Sequence, residues 1–241
     1  MDSLLTELVE KLKQTFDARL VSVILYGSAA GGDHHGKYSD LNVLCVLARV
    51  TPVELGASEP VFRWWRDHGN PAPLLLTATE VRESTDCFPI EFQDMKERRR
   101  VLYGDDVIAD LTVDRSFYRA QVEHDLRAKL LRLRQQATEV LSKNDRLLSL
   151  CLDSVSTFCV LGRHALVLAG VEAKWQKRDV VSQLGQTMGI NPEPFDLLLD
   201  LREEKKTHRE VDLAPLFESY LSQIQAMVEF VDRLDNQEMN K

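Results

Sequence analysis

The 241 residues predict an α+β protein, an N-terminal α/β half followed by an all-helical half. Two observations carry this. Short apolar runs of strand length, at residues 20–26, 41–47, 74–77 and 88–95, all precede residue 100. From about Ser116 onward the apolar period changes from two to 3.6 residues, and no strand candidate remains. Strands and helices segregated along a chain indicate α+β architecture rather than alternating βαβ units. The boundary is expected at residues 104–114, giving domains over residues 1–110 and 111–241.

Leu4, Leu5, Leu8, Val9, Leu12 and Phe16 recur at helical spacing, so the chain opens with an amphipathic helix. Residues 20–26 (LVSVILY) are a continuous β-rich run, as in a strand buried on both faces. A glycine-rich turn follows, then a second apolar strand at 41–47. Residues 53–68, with Phe62, Trp64 and Trp65, read as a helix that stops at His68-Gly69-Asn70-Pro71. Residues 74–77 are a third strand, and Thr79 stands where it would cap a brief helix over 80–84. In FPIEFQDM (88–95), alternation predicts a fourth strand, with Phe88, Ile90 and Phe92 toward the core and Glu91 opposite. Helices are expected at 116–141, 144–169, 177–188, 193–205 and 213–235, separated by polar or glycine-bearing breaks.

The composition, 44% hydrophobic and 28% charged, is that of a globular domain, and the net charge of −8 argues against a general nucleic-acid binder. Asp2, Glu7 and Glu10 stand where an export signal would be basic and then apolar, so a cytoplasmic protein is expected. Residues 147–168 are interrupted by Asp153, Arg163 and His164, which predicts a buried helix and no membrane span. Cys45, Cys87, Cys151 and Cys159 sit singly, without the spacing of a zinc site or a disulfide framework.

The segment from Leu25 to Asn42 carries the chemistry. Gly27 ends a buried strand, where a missing side chain lets backbone N–H groups approach a ligand. Ser28 adds a hydroxyl, and a helix beginning there would aim its positive end at an anion, so the turn is a candidate nucleotide-phosphate cradle. Asp40 and Asn42, two apart on a strand, would share one face and could hold Mg²⁺, a hard cation that prefers oxygen ligands.

This arrangement of an apolar strand, Gly-Ser, about a dozen residues, and then Asp40-Leu41-Asn42 resembles the nucleotidyltransferase superfamily. The layout with a helical second half is most similar to the kanamycin nucleotidyltransferase type. The resemblance implies an N-terminal nucleotidyltransferase-fold domain with a mixed sheet, a C-terminal helical bundle, a nucleoside triphosphate (ATP or another), Mg²⁺, and an acceptor hydroxyl on a small molecule or protein. It also makes a homodimer an expectation. In the family two metals bind paired acids and a third carboxylate, and drive attack on the α-phosphate. Asp40 matches the first acid, but Asn42 stands in place of the second. At an effective dielectric near 20 and ~4 Å, one lost unit interaction is worth roughly 4 kcal/mol before compensation.

The third acid has no match in residues 73–77, and Glu91 is the best substitute. Glu123, in the first C-terminal helix, matches the place of the general base in the kanamycin type, or else is a solvated helical glutamate. The basic run Lys96-Glu97-Arg98-Arg99-Arg100 would either neutralise phosphate or lie ion-paired on the surface, and His34 and His35 lie in the phosphate-side loop. Two other classes of function stay open. One is a catalytically degenerate nucleotide-binding module. The other is a HEPN-ribonuclease or antitoxin-like partner protein, for which Arg202 and His208 are the marker pair. Asp153 and Arg163, inside the most apolar helix, need partners and are expected to join domains or subunits.

Overall fold

The computed structural model describes residues 1–31, 41–113, 116–207 and 211–238, with the backbone alone for 235–238. Asp40, His34, His35 and His208 lie outside these residues. The chain divides into two units, Met1–Phe117 and Tyr118–Lys241.

The first unit is a sheet of four strands with helices on both faces. Its elements run α1 (Asp2–Phe16), β1 (Leu20–Tyr26), β2 (Asn42–Leu47), α2 (Pro52–Asp67), β3 (Leu74–Thr77), α3 (Ala78–Glu83), α4 (Pro89–Glu97) and β4 (Arg99–Gly104). The spatial order is β3-β2-β1-β4. β1 pairs antiparallel with both β2 and β4, whereas β2 and β3 are parallel, so the sheet is mixed as expected.

Alternation sorts the strand residues between two cores. Val23, Leu25, Val43, Cys45 and Leu47 pack with Leu8, Leu12 and Phe16 of α1 and Trp65 of α2. Ile24, Leu44 and Val46 point the other way, against Val81 of α3 and Phe92 and Met95 of α4. Both central strands are therefore buried on both faces, which explains their unbroken apolar runs.

Two local expectations need correction. Residues 88–95 are not a strand: Pro89 opens α4, where its fixed φ and missing N–H fit a first helical position. The buried set Pro89, Ile90, Phe92, Gln93 and Met95 follows the helical i, i+3 spacing, and Phe88, expected in the core, is 54% exposed. Over so short a run the two periods share most of their apolar positions. The fourth strand is instead Arg99–Gly104, an edge strand whose arginines disguise it. In addition, Thr77 rather than Thr79 caps α3. Its hydroxyl accepts from the Glu80 N–H while Glu80 accepts from the Thr77 N–H, a complete capping box.

Thr51 and Glu54 close the same motif at α2, and Glu54 is fully buried between Arg19 (2.9 Å) and Arg49 (3.2 Å). Hydrogen bonds from the Thr51 hydroxyl first, then Arg49 and Arg19, hold its carboxyl down at about 2.

Gly104 ends β4 at φ +72°, and a Cβ there would lie 2.0 Å from the Val21 carbonyl oxygen. Since the obstacle is backbone, Gly104→Ala is expected to cost more than ~1–2 kcal/mol. A urea midpoint indistinguishable from that of the wild type would contradict this.

The second unit contains α5 (Tyr118–Val140), α6 (Asn144–Leu168), α7 (Lys177–Met188), α8 (Glu193–Arg202) and α9 (Leu213–Glu238). α8 stops three residues short of its expected end, at Arg202 rather than 205. Phe158, Phe195 and Tyr220 meet edge to face at its centre, with centroid separations of 5.1 and 6.1 Å. By length and composition α6 could cross a membrane, but 56% of its most apolar window is buried inside the protein, as in a core helix. Asp153 is exposed, whereas Arg163 and His164 are buried. Arg163 donates to His164 Nε2 at 3.0 Å, and its guanidinium lies over the Trp175 ring at 3.9 Å.

Candidate functional site

The predicted turn forms at one end of the sheet. β1 ends at Tyr26, and Gly27 follows at φ +79°, a left-handed backbone that favours glycine. Among the described residues a Cβ at Gly27 would find Asn42 Nδ2 at an ordinary 3.6 Å, and the left-handed backbone angle itself calls for glycine. The same measurement puts the Asn42 amide against the turn. Asn42 heads β2, directly opposite Tyr26 in the ladder, and shares a sheet face with Leu44 and Val46. Gly27, Ser28 and Asn42 thus converge.

One detail differs from expectation. The Gly27 N–H donates to the Arg98 carbonyl at 3.1 Å and is not offered to a ligand. Ser28–Gly31 is a single 3₁₀ turn, closed by the Ala30 N–H on the Gly27 carbonyl and anchored by buried Ala29, and any continuation of the expected helix falls outside the described residues. Among the described residues, the turn presents the exposed Ser28 hydroxyl and its first amides.

Asn70 is a positioning residue that the sequence signalled only as part of a helix stop. It is 8% exposed, and its Oδ1 accepts the Leu41 N–H at 3.3 Å, holding the chain between Asp40 and Asn42.

Glu91 is exposed on the first turn of α4, not on a strand. It still lies on the Asn42 side of the sheet. Burial first, and the Glu91 charge second, push the Tyr26 phenol up to about 12, so Tyr26 stays neutral at physiological pH. Among the described residues no group of three His, Cys, Asp or Glu side chains could hold a metal ion. With Asp40 outside them, the described residues do not by themselves fit Mg²⁺: the neutral Asn42 amide is the donor they bring to the turn.

In the second unit Glu123 is no solvated glutamate. Its carboxylate is only 19% exposed, receiving Arg127 Nε at 2.7 Å and Arg119 Nη1 at 2.8 Å. The Arg127 hydrogen bond first, and then Arg119, hold it below the usual carboxylate range, which weakens it as a proton acceptor. Arg202 donates to the Leu152 carbonyl at 2.6 Å, a contact that ties α8 to α6.

The basic run is divided among separate tasks. Lys96 donates to the Leu111 carbonyl, Arg99 pairs with Asp106 at 2.8 Å, and Arg100 pairs with Asp2 at 2.9 Å. The Arg98 guanidinium lies directly over Gly31.

No family model and no curated protein sequence matches the chain. Among solved structures, it is similar to the spectinomycin adenyltransferase AAD(9) from Enterococcus faecialis, solved with ATP and spectinomycin. The TM-score is 0.60 at 13% identity, over 94% of this chain and 98% of that one. The likeness spans both units, and it establishes a nucleotidyltransferase-type α+β fold for this chain.

Proposed function

We propose that this protein binds a nucleoside triphosphate at the turn formed by Gly27 and Ser28, and transfers a nucleoside monophosphate to a hydroxyl of a small-molecule or protein acceptor. The observation that carries the proposal is the convergence of Gly27, Ser28 and Asn42 at one end of the sheet. The fold likeness to an adenyltransferase solved with ATP supports it. In this reading Asp40 and Asn42 provide oxygen donors for Mg²⁺, which would supply charge neutralisation at the α-phosphate. Glu91 is an acid whose charge reaches Tyr26 on that side, and Glu123 would act on the acceptor only when released from its two arginines.

A second reading, a nucleotide-binding module without transfer activity, is favoured by one observation: the position of the second acid is held by a neutral amide. Calorimetric titration of ATP and GTP, with Mg²⁺ and with EDTA, separates the two. Transfer predicts binding that is strengthened by Mg²⁺, and loss of that increment in Asp40→Ala. Metal-indifferent binding in both proteins would favour the module, and no binding at all would defeat both.

A further inference from the structure

The start of β2 lies where the strand's neighbours run out. On one side its ladder with β1 ends at the Tyr26–Asn42 pair, and on the other its ladder with β3 begins only at Leu44 and Leu74. The chain before Leu74 cannot carry β3 on toward Asn42 as a regular strand, because it reads Pro71-Ala72-Pro73 and proline has no N–H to give. A side chain fills the gap. Asn70 Oδ1 accepts the Leu41 N–H at 3.3 Å, and Asn70 Nδ2 donates to the His68 carbonyl at 3.4 Å, so both ends of the amide are used and its orientation is set. Leu41 itself is buried in the core formed with α1 and α2, beside Trp65. Residue 41 is therefore held twice, by its side chain on one face of the sheet and by its N–H in the sheet plane. Alternation then leaves Asn42 on the opposite face, with its amide nitrogen beside Gly27.

We propose that Asn70 is a positioning residue for nucleotide binding, acting through Leu41 to keep Asn42 aimed at the Gly27 turn. The proposal rests on the nucleotide-binding reading given above and adds to it a residue that touches no ligand. Asn70 follows the end of α2, and its amide does for residue 41 what a longer β3 would do. Without that acceptor the Leu41 peptide turns to find another, and Asn42, the next residue, turns with it. This route has a distinctive signature. Because Asn70 acts on the ligand only through residue 42, its loss and the loss of the Asn42 side chain remove the same binding, once.

The test is calorimetric titration of ATP against the full chain, Asn42→Ala, Asn70→Ala and the Asn42→Ala/Asn70→Ala double variant. Each single variant is expected to weaken ATP about three- to tenfold, the scale of one hydrogen bond, and the double variant no more than either alone. Asn70→Asp keeps an acceptor for the Leu41 N–H, so it should bind ATP more tightly than the near-isosteric Asn70→Leu, which has none. A residue that served stability alone would lower the urea midpoint and leave ATP affinity unchanged, and that result would overturn the proposal while nucleotide binding stands. Losses that add in the double variant would overturn it as well, as would an Asn70→Asp variant no better than Asn70→Leu. A wild-type protein that binds no ATP removes this proposal and the reading beneath it together. If Asn70→Ala fails to fold, Asn70→Ser decides: its side chain is too short to replace the amide, and its ATP loss must vanish when Asn42→Ala is also present.

Discussion

The Asn42→Asp variant is expected to bind Mg·ATP more tightly than the wild type and to release pyrophosphate up to about a thousandfold faster. The substitution is nearly isosteric, exchanging an amide nitrogen for an oxygen and adding one negative charge. The site it enters is defined: Asn42 heads β2, lies opposite Tyr26, and reaches the turn beside Gly27. At ~4 Å and an effective dielectric near 20, one unit charge interaction is worth roughly 4 kcal/mol. About 1.36 kcal/mol is tenfold in rate, so about a thousandfold is the ceiling before solvent compensation. The sign of the metal dependence adds a check that activity alone cannot give. Without Mg²⁺ the new carboxylate repels the polyphosphate, so ATP binding in EDTA should weaken even as Mg·ATP binding strengthens. Tighter Mg·ATP binding without pyrophosphate release would mean that the missing charge is not the only defect, and would favour the transfer-inactive module. Affinity unchanged under both conditions would mean that position 42 does not face the nucleotide.

The parts of this site that were legible in the sequence share one property: each depends on neighbours close along the chain. Residues 20–26 and 41–47 had no competing reading, because strands buried on both faces need unbroken apolar runs. Period-two alternation then put residues 40 and 42 on one face of the second strand, close after the glycine turn. The helix over residues 53–68 was marked by its stop at His68-Gly69-Asn70-Pro71. What was not legible depends on the sheet edge. FPIEFQDM fits alternation and helical spacing almost equally, and only Pro89 at its start tips the balance toward α4. RRVLYG reads as a surface run because an edge strand carries charge that a central strand excludes. Missing β4 had two consequences at the site. It hid the Arg98 carbonyl that takes up the Gly27 N–H, and it hid the Arg98 guanidinium over Gly31. Both contacts exist only because β4 is laid antiparallel against β1, a pairing between distant segments that no local pattern encodes.

The helical unit supplies the second large effect: Arg163→Ala is expected to destabilise it by about 3 kcal/mol or more. Arg163 is 3% exposed on the core helix α6, where a charged side chain is tolerated only if its surroundings replace water. Two groups do so in defined ways. The Trp175 ring faces the guanidinium at 3.9 Å, a desolvated cation–π contact worth about 2 kcal/mol. The His164 Nε2 accepts an Arg163 N–H at 3.0 Å, which leaves the imidazole proton on Nδ1 to be donated to the Tyr118 hydroxyl at 2.5 Å. Burial lowers the guanidinium to about 10, so it remains charged at neutral pH. Truncation therefore removes the stacking and opens a cavity along α6. It also removes the Arg163 hydrogen bond to a fully buried imidazole, and a hydrogen bond to a charged group is worth about 1.5–3 kcal/mol. Arg163→Lys keeps charge but neither the planar stack nor the fork, and should recover only part of the loss. Urea unfolding followed by fluorescence reads this directly, because Trp175 belongs to the helical unit whereas Trp64 and Trp65 belong to the other. A variant whose unfolding midpoint moves by less than about 0.5 kcal/mol equivalent would show that Arg163 is solvated in the folded chain, since only surface substitutions are that mild.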